Sequence, residues 1–157
     1  MRQTRQKGEI LPKKLQNKAR AIYITLFFLY SAFIIYATLL GRAHADDPLC
    51  SVWDSWRIEY IKEEGHWNIN PLQNLLMMIP FTFLLYMAFP KAAIKKPVVK
   101  GLITGLSFSV FIECEQLIFS LGTFQVSDIV YNTMSGGIGA ALYCALKEIK
   151  QIRSLQP

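Results

Sequence analysis

The sequence predicts an all-α membrane protein with four transmembrane helices. Both termini are expected in the cytoplasm, and the third and fourth spans form an antiparallel hairpin. Three observations predict it. Four long apolar stretches are uncharged or nearly so, Lys and Arg cluster at alternate ends of them, and 52% of the 157 residues are hydrophobic. This length suits one domain. The chain carries a net charge of +6 and a sequence pI near 9.3. Its basic residues border apolar runs instead of standing among exposed aromatics, so membrane topology accounts for them better than nucleic-acid binding does.

Residues 1–20 form a basic cytoplasmic segment, with Arg2, Arg5, Lys7, Lys13, Lys14, Lys18 and Arg20 against Glu9 alone. Residues 21–41 carry no charge. At ~1.5 Å per residue such a helix covers the roughly 30 Å hydrocarbon layer and makes the first span. Ala43-His44-Ala45 resembles a signal-peptidase site. The apolar run before it exceeds the ~7–15 residues of a signal-peptide core, so the span is read as uncleaved.

Residues 42–70 are expected to be an extracytoplasmic loop, acidic on balance, with Asp46, Asp47, Asp54, Glu59, Glu63 and Glu64 against Arg42, Arg57 and Lys62. Trp53, Trp56 and Tyr60 recur at i, i+3 and i+7. That spacing predicts a short helix lying in the membrane interface, where amphipathic rings are favoured. The second span is placed at 71–89. Pro71 is acceptable in a first turn, whereas Pro80 removes a backbone donor mid-span and predicts a bend or a small polar pocket.

Residues 90–100 are a basic cytoplasmic loop, 101–121 the third span, 122–128 an outer turn, 129–146 the fourth span and 147–157 a cytoplasmic tail. With this alternation, fourteen of the 17 Lys and Arg fall on the cytoplasmic side, which is the expected positive-inside bias. Gly101-xxx-Gly105, Ser135-xxx-Gly139 and Gly136-xxx-Ala140 offer small-residue faces for close helix packing.

Ionisable groups inside the spans are the most informative feature, because a carboxylate at mid-bilayer costs about 2.5–3.5 kcal/mol on insertion scales. Glu113 stands twelve residues beyond Gly101, about 18 Å up the third span and in its outer half. Gln116 shares its face at i+3, and Asp128 and Asn132 share one at i+4. Asn74 lies about one turn from the outer start of the second span. Asn74, Glu113, Gln116, Asp128 and Asn132 are therefore expected at similar depth, in a pocket reached from the extracytoplasmic side. Such a pocket could take a lipid headgroup, a glycan precursor or an amphiphilic antibiotic.

The alternative is that these groups only hydrogen-bond one another to fix packing. For Asn74, Gln116 and Asn132 the two readings stand level. For Glu113 function is favoured, since a structural bond does not require a titratable acid. Glu115 points ~200° away from Glu113, toward another cavity or the interface. Arg42, at the outer end of the first span, is an accessory candidate. Cys50, Cys114 and Cys144 form no CxxC pair, and two of them sit in apolar runs as small hydrophobes. His44 and His66 are a weak metal-site candidate, and no metal or cofactor is expected. No nucleophile motif or phosphate-binding glycine loop is present.

Asn74-Leu75-Leu76-Met77-Met78-Ile79-Pro80-Phe81-Thr82-Phe83 resembles the N-x5-P-[LF]-G-F signature of the VanZ-like family of bacterial membrane proteins. Ser109, Glu113 and Gln116 match its S-x-x-x-E-x-x-Q. Asp128, Ile129, Asn132, Ser135, Gly136 and Gly139 match its D-[VI]-x-x-N-x-x-G-[AG]-x-[LIF]-G. The motifs run from about Asn74 to Ala141, and the VanZ-like region is placed at about 22–146. Thr82 and Ser135 replace expected glycines, and Gln125 stands where an acid is common. An arginine often found near Gly122 or Thr123 is missing, a gap that Arg42 is expected to fill.

The resemblance implies a multi-pass protein of the bacterial cytoplasmic membrane that lowers sensitivity to glycopeptide antibiotics, teicoplanin above all. The favoured reading is a non-enzymatic envelope protein whose polar pocket engages a lipid-linked wall precursor or the lipoglycopeptide. A second reading is an intramembrane enzyme using Glu113 and Asp128 as acid and base on a lipid-linked substrate. A third is a transporter or flippase subunit whose acids carry protons. Four spans are few for that task, so it would act as an oligomer.

Overall fold

A computed structural model describes residues 13–61, 65–93 and 95–153. Helix α1 runs over Lys13–Ile35 and ends in a π-helical turn at Tyr36–Leu40. A short hairpin follows, β1 at Glu59–Ile61 and β2 at His66–Asn68. Then come α2 at Asn70–Ala88, a 3₁₀ turn at Pro90–Ala93, α3 at Pro97–Phe119 and α4 at Val126–Arg153. Four segments, Leu15–Leu40, Asn70–Ala88, Pro97–Phe119 and Val126–Arg153, are long and apolar enough to cross a membrane. The protein is thus a multi-pass membrane protein in a lipid bilayer. Lys13–Arg20 belong to α1, while residues 1–12, 62–64 and 154–157 of the predicted basic segment, loop and tail lie outside the described residues.

Helix α4 is the centre of the bundle, packed against α3 on one side and α2 on another, with α1 leaning on α2. Small residues make both approaches close. A Cβ at Gly101 would stand 2.6 Å from the carbonyl oxygen of Gly136 and 2.6 Å from Ala140 Cβ. One at Gly105 would stand 2.5 Å from the Asn132 carbonyl oxygen. The Gly101-xxx-Gly105 and Gly136-xxx-Ala140 faces therefore meet each other, and the antiparallel α3–α4 hairpin is observed. The Ser135-xxx-Gly139 face turns to α2, where Gly139 rests on the Ile79 carbonyl next to Pro80.

Pro80 lies inside α2, which is helical from Asn70 to Ala88. It deprives the Leu76 carbonyl of its helical donor. One residue on, the Met77 carbonyl accepts the Tyr30 hydroxyl at 2.9 Å, tying α1 to this weakened turn. Arg20 Nε donates to the Ala88 carbonyl at 3.1 Å, satisfying a free acceptor at the end of α2. Only 11% of the α1 span is buried. Its exposed Ile22, Leu26, Phe28, Leu29 and Phe33 make a lipid-facing surface.

The expected interfacial helix through Trp53, Trp56 and Tyr60 does not form. Residues 48–53 are turns, and Ser55 adopts a left-handed φ of 61° between Trp53 and Trp56, which a helix does not accommodate. Tyr60 is in β1, directly opposite Trp67 of β2, with ring centroids 5.5 Å apart. A cross-strand aromatic pair outweighs one amphipathic turn too short to hold itself together.

Candidate functional site

The connection between α3 and α4 builds the site. Ser120 closes α3 with φ 54°, and Gly122 follows with φ 88°. The chain turns back at once, so the last turn of α3 faces the first turns of α4. Glu113 and Gln116 on α3, Asp128 and Asn132 on α4, and Asn74 on α2 are all 8% exposed or less. Asn74 Nδ2 donates to Asp128 Oδ1 at 2.5 Å. The Gln125 backbone N–H donates to Glu113 Oε2 at 2.9 Å. Asn132 Nδ2 donates to Ser109 Oγ at 3.0 Å.

Gln116 works on a different neighbour. Its Nε2 donates to the Thr38 carbonyl at 2.7 Å. Thr38 lies in the π-helical turn that ends α1, where backbone carbonyls run out of helical donors. A side chain from α3 thus caps α1. Replacing Gln116 with Leu keeps the volume and removes that donor. It should cost about 1 kcal/mol, read as a lower unfolding midpoint of the detergent-solubilised protein. An unchanged midpoint would show that the cap adds nothing.

Arg42 emerges from the end of α1 and lies over the turn, where a Cβ on Gly122 would come within 2.9 Å of Arg42 Cδ. The absent Cβ of Gly122 makes room for this side chain, and its positive φ suits glycine. The Arg42 charge acts on both the Glu113 and Asp128 carboxylates. Both buried acids thus lie within electrostatic reach of one partly buried cation.

The cluster is not an open pocket. Segment 43–54 lies along the turn like a lid. Ala45 N–H donates to the Ser120 carbonyl and Gly122 N–H to that of Ala43, while Phe124 N–H reaches Pro48 and Val126 N–H reaches Val52. Ser127 Oγ donates to the Asp54 carbonyl at 2.9 Å. These backbone bonds close this end of the bundle because each one satisfies a polar group that would otherwise be stranded near lipid. The expected outward-opening pocket is thus a closed cluster in this structure, and a separate cavity lies among the loop residues beside it.

Over residues 20–147 the sequence matches the profile of the VanZ/LLP1 family. The chain belongs to the VanZ/LLP1 family. No curated protein and no solved structure matches it.

The VanZ/LLP1 motifs read from the sequence acquire distinct structural jobs. Asn74 and Asp128 form one interhelical pair, and Ser109 and Asn132 another. Glu113 holds the turn through Gln125, and Gly136 and Gly139 are contact points of α4 with α3 and α2. Ser135, where a glycine was expected, directs its hydroxyl to the Tyr131 carbonyl at 2.9 Å and is fully buried. Thr82, also at an expected glycine, is fully buried, and its Oγ1 has no hydrogen-bond partner among the described residues. Gln116 Oε1 and Asn132 Oδ1 are likewise buried acceptors without a donor there.

Glu115 is half-buried on another face of α3, outside the hydrogen bonds of the cluster. Residues that sequence reasoning did not single out are Thr38, which contributes a carbonyl, and Ser127, which ties α4 to the lid. Neither carries a side-chain signal that could have marked it. Among the described residues no three His, Cys, Asp or Glu side chains stand together as a metal site. His44 engages Leu121 through its backbone instead.

Proposed function

We propose that this VanZ/LLP1-family protein resides in the bacterial cytoplasmic membrane and lowers sensitivity to glycopeptide antibiotics, teicoplanin above all. It does so without catalysis, by engaging a lipid-linked wall precursor or the lipoglycopeptide near the outer surface. Both termini lie in the cytoplasm in this reading, supported by the distribution of Lys and Arg along the chain. Reporter fusions at the turn around Phe124 should report the extracytoplasmic side. Cytoplasmic reporter activity there would remove contact with envelope ligands.

The observation that carries the reading is the buried set of Asn74, Glu113, Asp128 and Asn132 from three helices at one end of the bundle, with Arg42 over the adjoining turn. A packing role needs hydrogen bonds but not two carboxylates, which are expensive to keep beside hydrocarbon. Expression of the chain in a sensitive Gram-positive host should raise the inhibitory concentration of teicoplanin. Glu113→Gln retains the shape of the side chain and an acceptor oxygen for the Gln125 N–H, yet removes the acid, and should abolish the protection. Equal inhibition of expressing and non-expressing cells by teicoplanin and vancomycin would count against the proposal.

An enzyme working through Glu113 and Asp128 is the second reading, favoured by two carboxylates held beside one another. It predicts a lipid or precursor species that changes with expression and does not change with Glu113→Gln.

A further inference from the structure

We infer that the outer loop forms a binding site for a neutral saccharide ring, most readily one carried on a lipid. A cavity of about 850 Å³ lies among residues 51–61, 67–73 and Gln125, within the roughly 300–1,000 Å³ usual for small-molecule sites. All three tryptophans of the chain, Trp53, Trp56 and Trp67, line it. Trp53 is 71% exposed and Trp67 60% exposed, so broad aromatic faces stand uncovered there. Two of the rings are positioned by neighbours. Trp67 packs edge-on to Tyr60, and Trp56 rests 6.3 Å from Tyr131, whose hydroxyl donates to the Trp56 carbonyl at 2.7 Å.

Between these rings the wall is hydrogen-bonding. Asp54, Glu59, Asn68, Asn70, Gln73 and Gln125 supply amides and carboxylates. A pyranose matches this pairing. Its axial C–H groups make a weakly positive apolar face that suits an indole, whose ring face is negative. Its equatorial hydroxyls both donate and accept at the rim, as amides and carboxylates require. A phosphate fits less well, because among the described residues of the lining Asp54 and Glu59 oppose a single basic residue, Arg57. A bare acyl chain would leave the amides and carboxylates unpaired.

Gln125 joins this cavity to the buried cluster, since its backbone N–H is the donor to Glu113. An occupied cavity would therefore sit one residue from the acid. The inference requires only that this end of the bundle meets a membrane–water boundary, and it stands apart from the antibiotic reading.

The test uses the full chain in phosphatidylcholine nanodiscs. Intrinsic tryptophan fluorescence is titrated with monoglucosyl-diacylglycerol, with phosphatidylglycerol and with free glucose. Saturable change with the glucolipid and none with phosphatidylglycerol is expected. Gln73→Ala and Trp53→Leu, both at exposed positions, should each weaken it roughly fivefold, the size of one hydrogen bond or one stacking contact. Unchanged helical content by circular dichroism confirms that each variant is folded. A response to glucose as well assigns the site to the sugar irrespective of its lipid. Equal responses to both lipids would show that the tryptophans are only interfacial anchors, and no response to glucolipid or glucose would equally overturn the inference. Neither of these results touches the teicoplanin assay, which tests the proposed function separately.

Discussion

Gly136→Leu is expected to destabilise the bundle by about 3 kcal/mol or more and to remove most of the folded protein from detergent extracts. A Cβ at Gly136 would press into the Gly101 carbonyl oxygen and stand 3.0 Å from Gly105 Cα and 3.1 Å from Gly105 N. All three are backbone atoms, so no rotamer change relieves the contact and α3 must retreat from α4. In a bilayer that retreat has no hydrophobic compensation, since lipid tails are as apolar as the helices they replace. The separation would also draw Ser109 away from Asn132 and loosen the turn that holds Glu113. Gly137→Leu is the control. Its Cβ would meet Leu102 Cδ2 at 2.7 Å, the end of a flexible side chain, and the loss should be much smaller. Size-exclusion profiles and thermal midpoints of the two variants measure this. Equal midpoints would mean that the close α3–α4 contact does not govern stability.

That contact was legible in the sequence because small residues four apart on two adjacent spans have few other uses in lipid. The polar cluster was legible for a related reason. Glu113 and Asp128 interrupt apolar runs, and the energetic cost of such interruptions makes the sequence conspicuous at those positions. Arg42 was legible as an accessory only through the family resemblance, which leaves an arginine missing near Gly122, and the geometry that admits it depends on Gly122 having no side chain. What could not be read was the fate of residues 42–58. Their ordering rests on backbone hydrogen bonds from Ala45, Gly122, Phe124 and Val126, which every non-proline residue can make. Side-chain patterns carry no record of them. The aromatic spacing of Trp53, Trp56 and Tyr60 then suggested a helix, although Tyr60 finds its partner in Trp67 across a hairpin. Because the lid was invisible, the cluster was expected to be open. The cavity that does open is lined by Trp53 and Trp56, which the helical reading had assigned to the interface, and by Trp67.

Asn74→Leu should lower stability by about 2–3 kcal/mol, the second largest effect expected of a single side chain here. Neutral hydrogen bonds between transmembrane helices average only ~0.6 kcal/mol, because the separated helices also find partners. The Asn74–Asp128 bond differs in two respects. Its acceptor is a carboxylate, which makes the bond charge-assisted and short. Asp128 is also buried on α4 with Asn74 reaching it from α2, so truncating the donor leaves a buried acid short of a partner instead of merely deleting a contact. Asp128→Asn keeps an acceptor for Asn74 without the charge and should cost less, about 1 kcal/mol. Asn74→Leu combined with Asp128→Leu should be less harmful than the two single changes together, because the buried acid is gone. Unfolding midpoints in detergent for these four variants complete the cycle. If the effects simply add, the two residues are not coupled and the cluster is not a unit. If they do not add, α2 is held to α4 by an acid, and any ligand or proton that engages Asp128 will act on the packing of α2 as well.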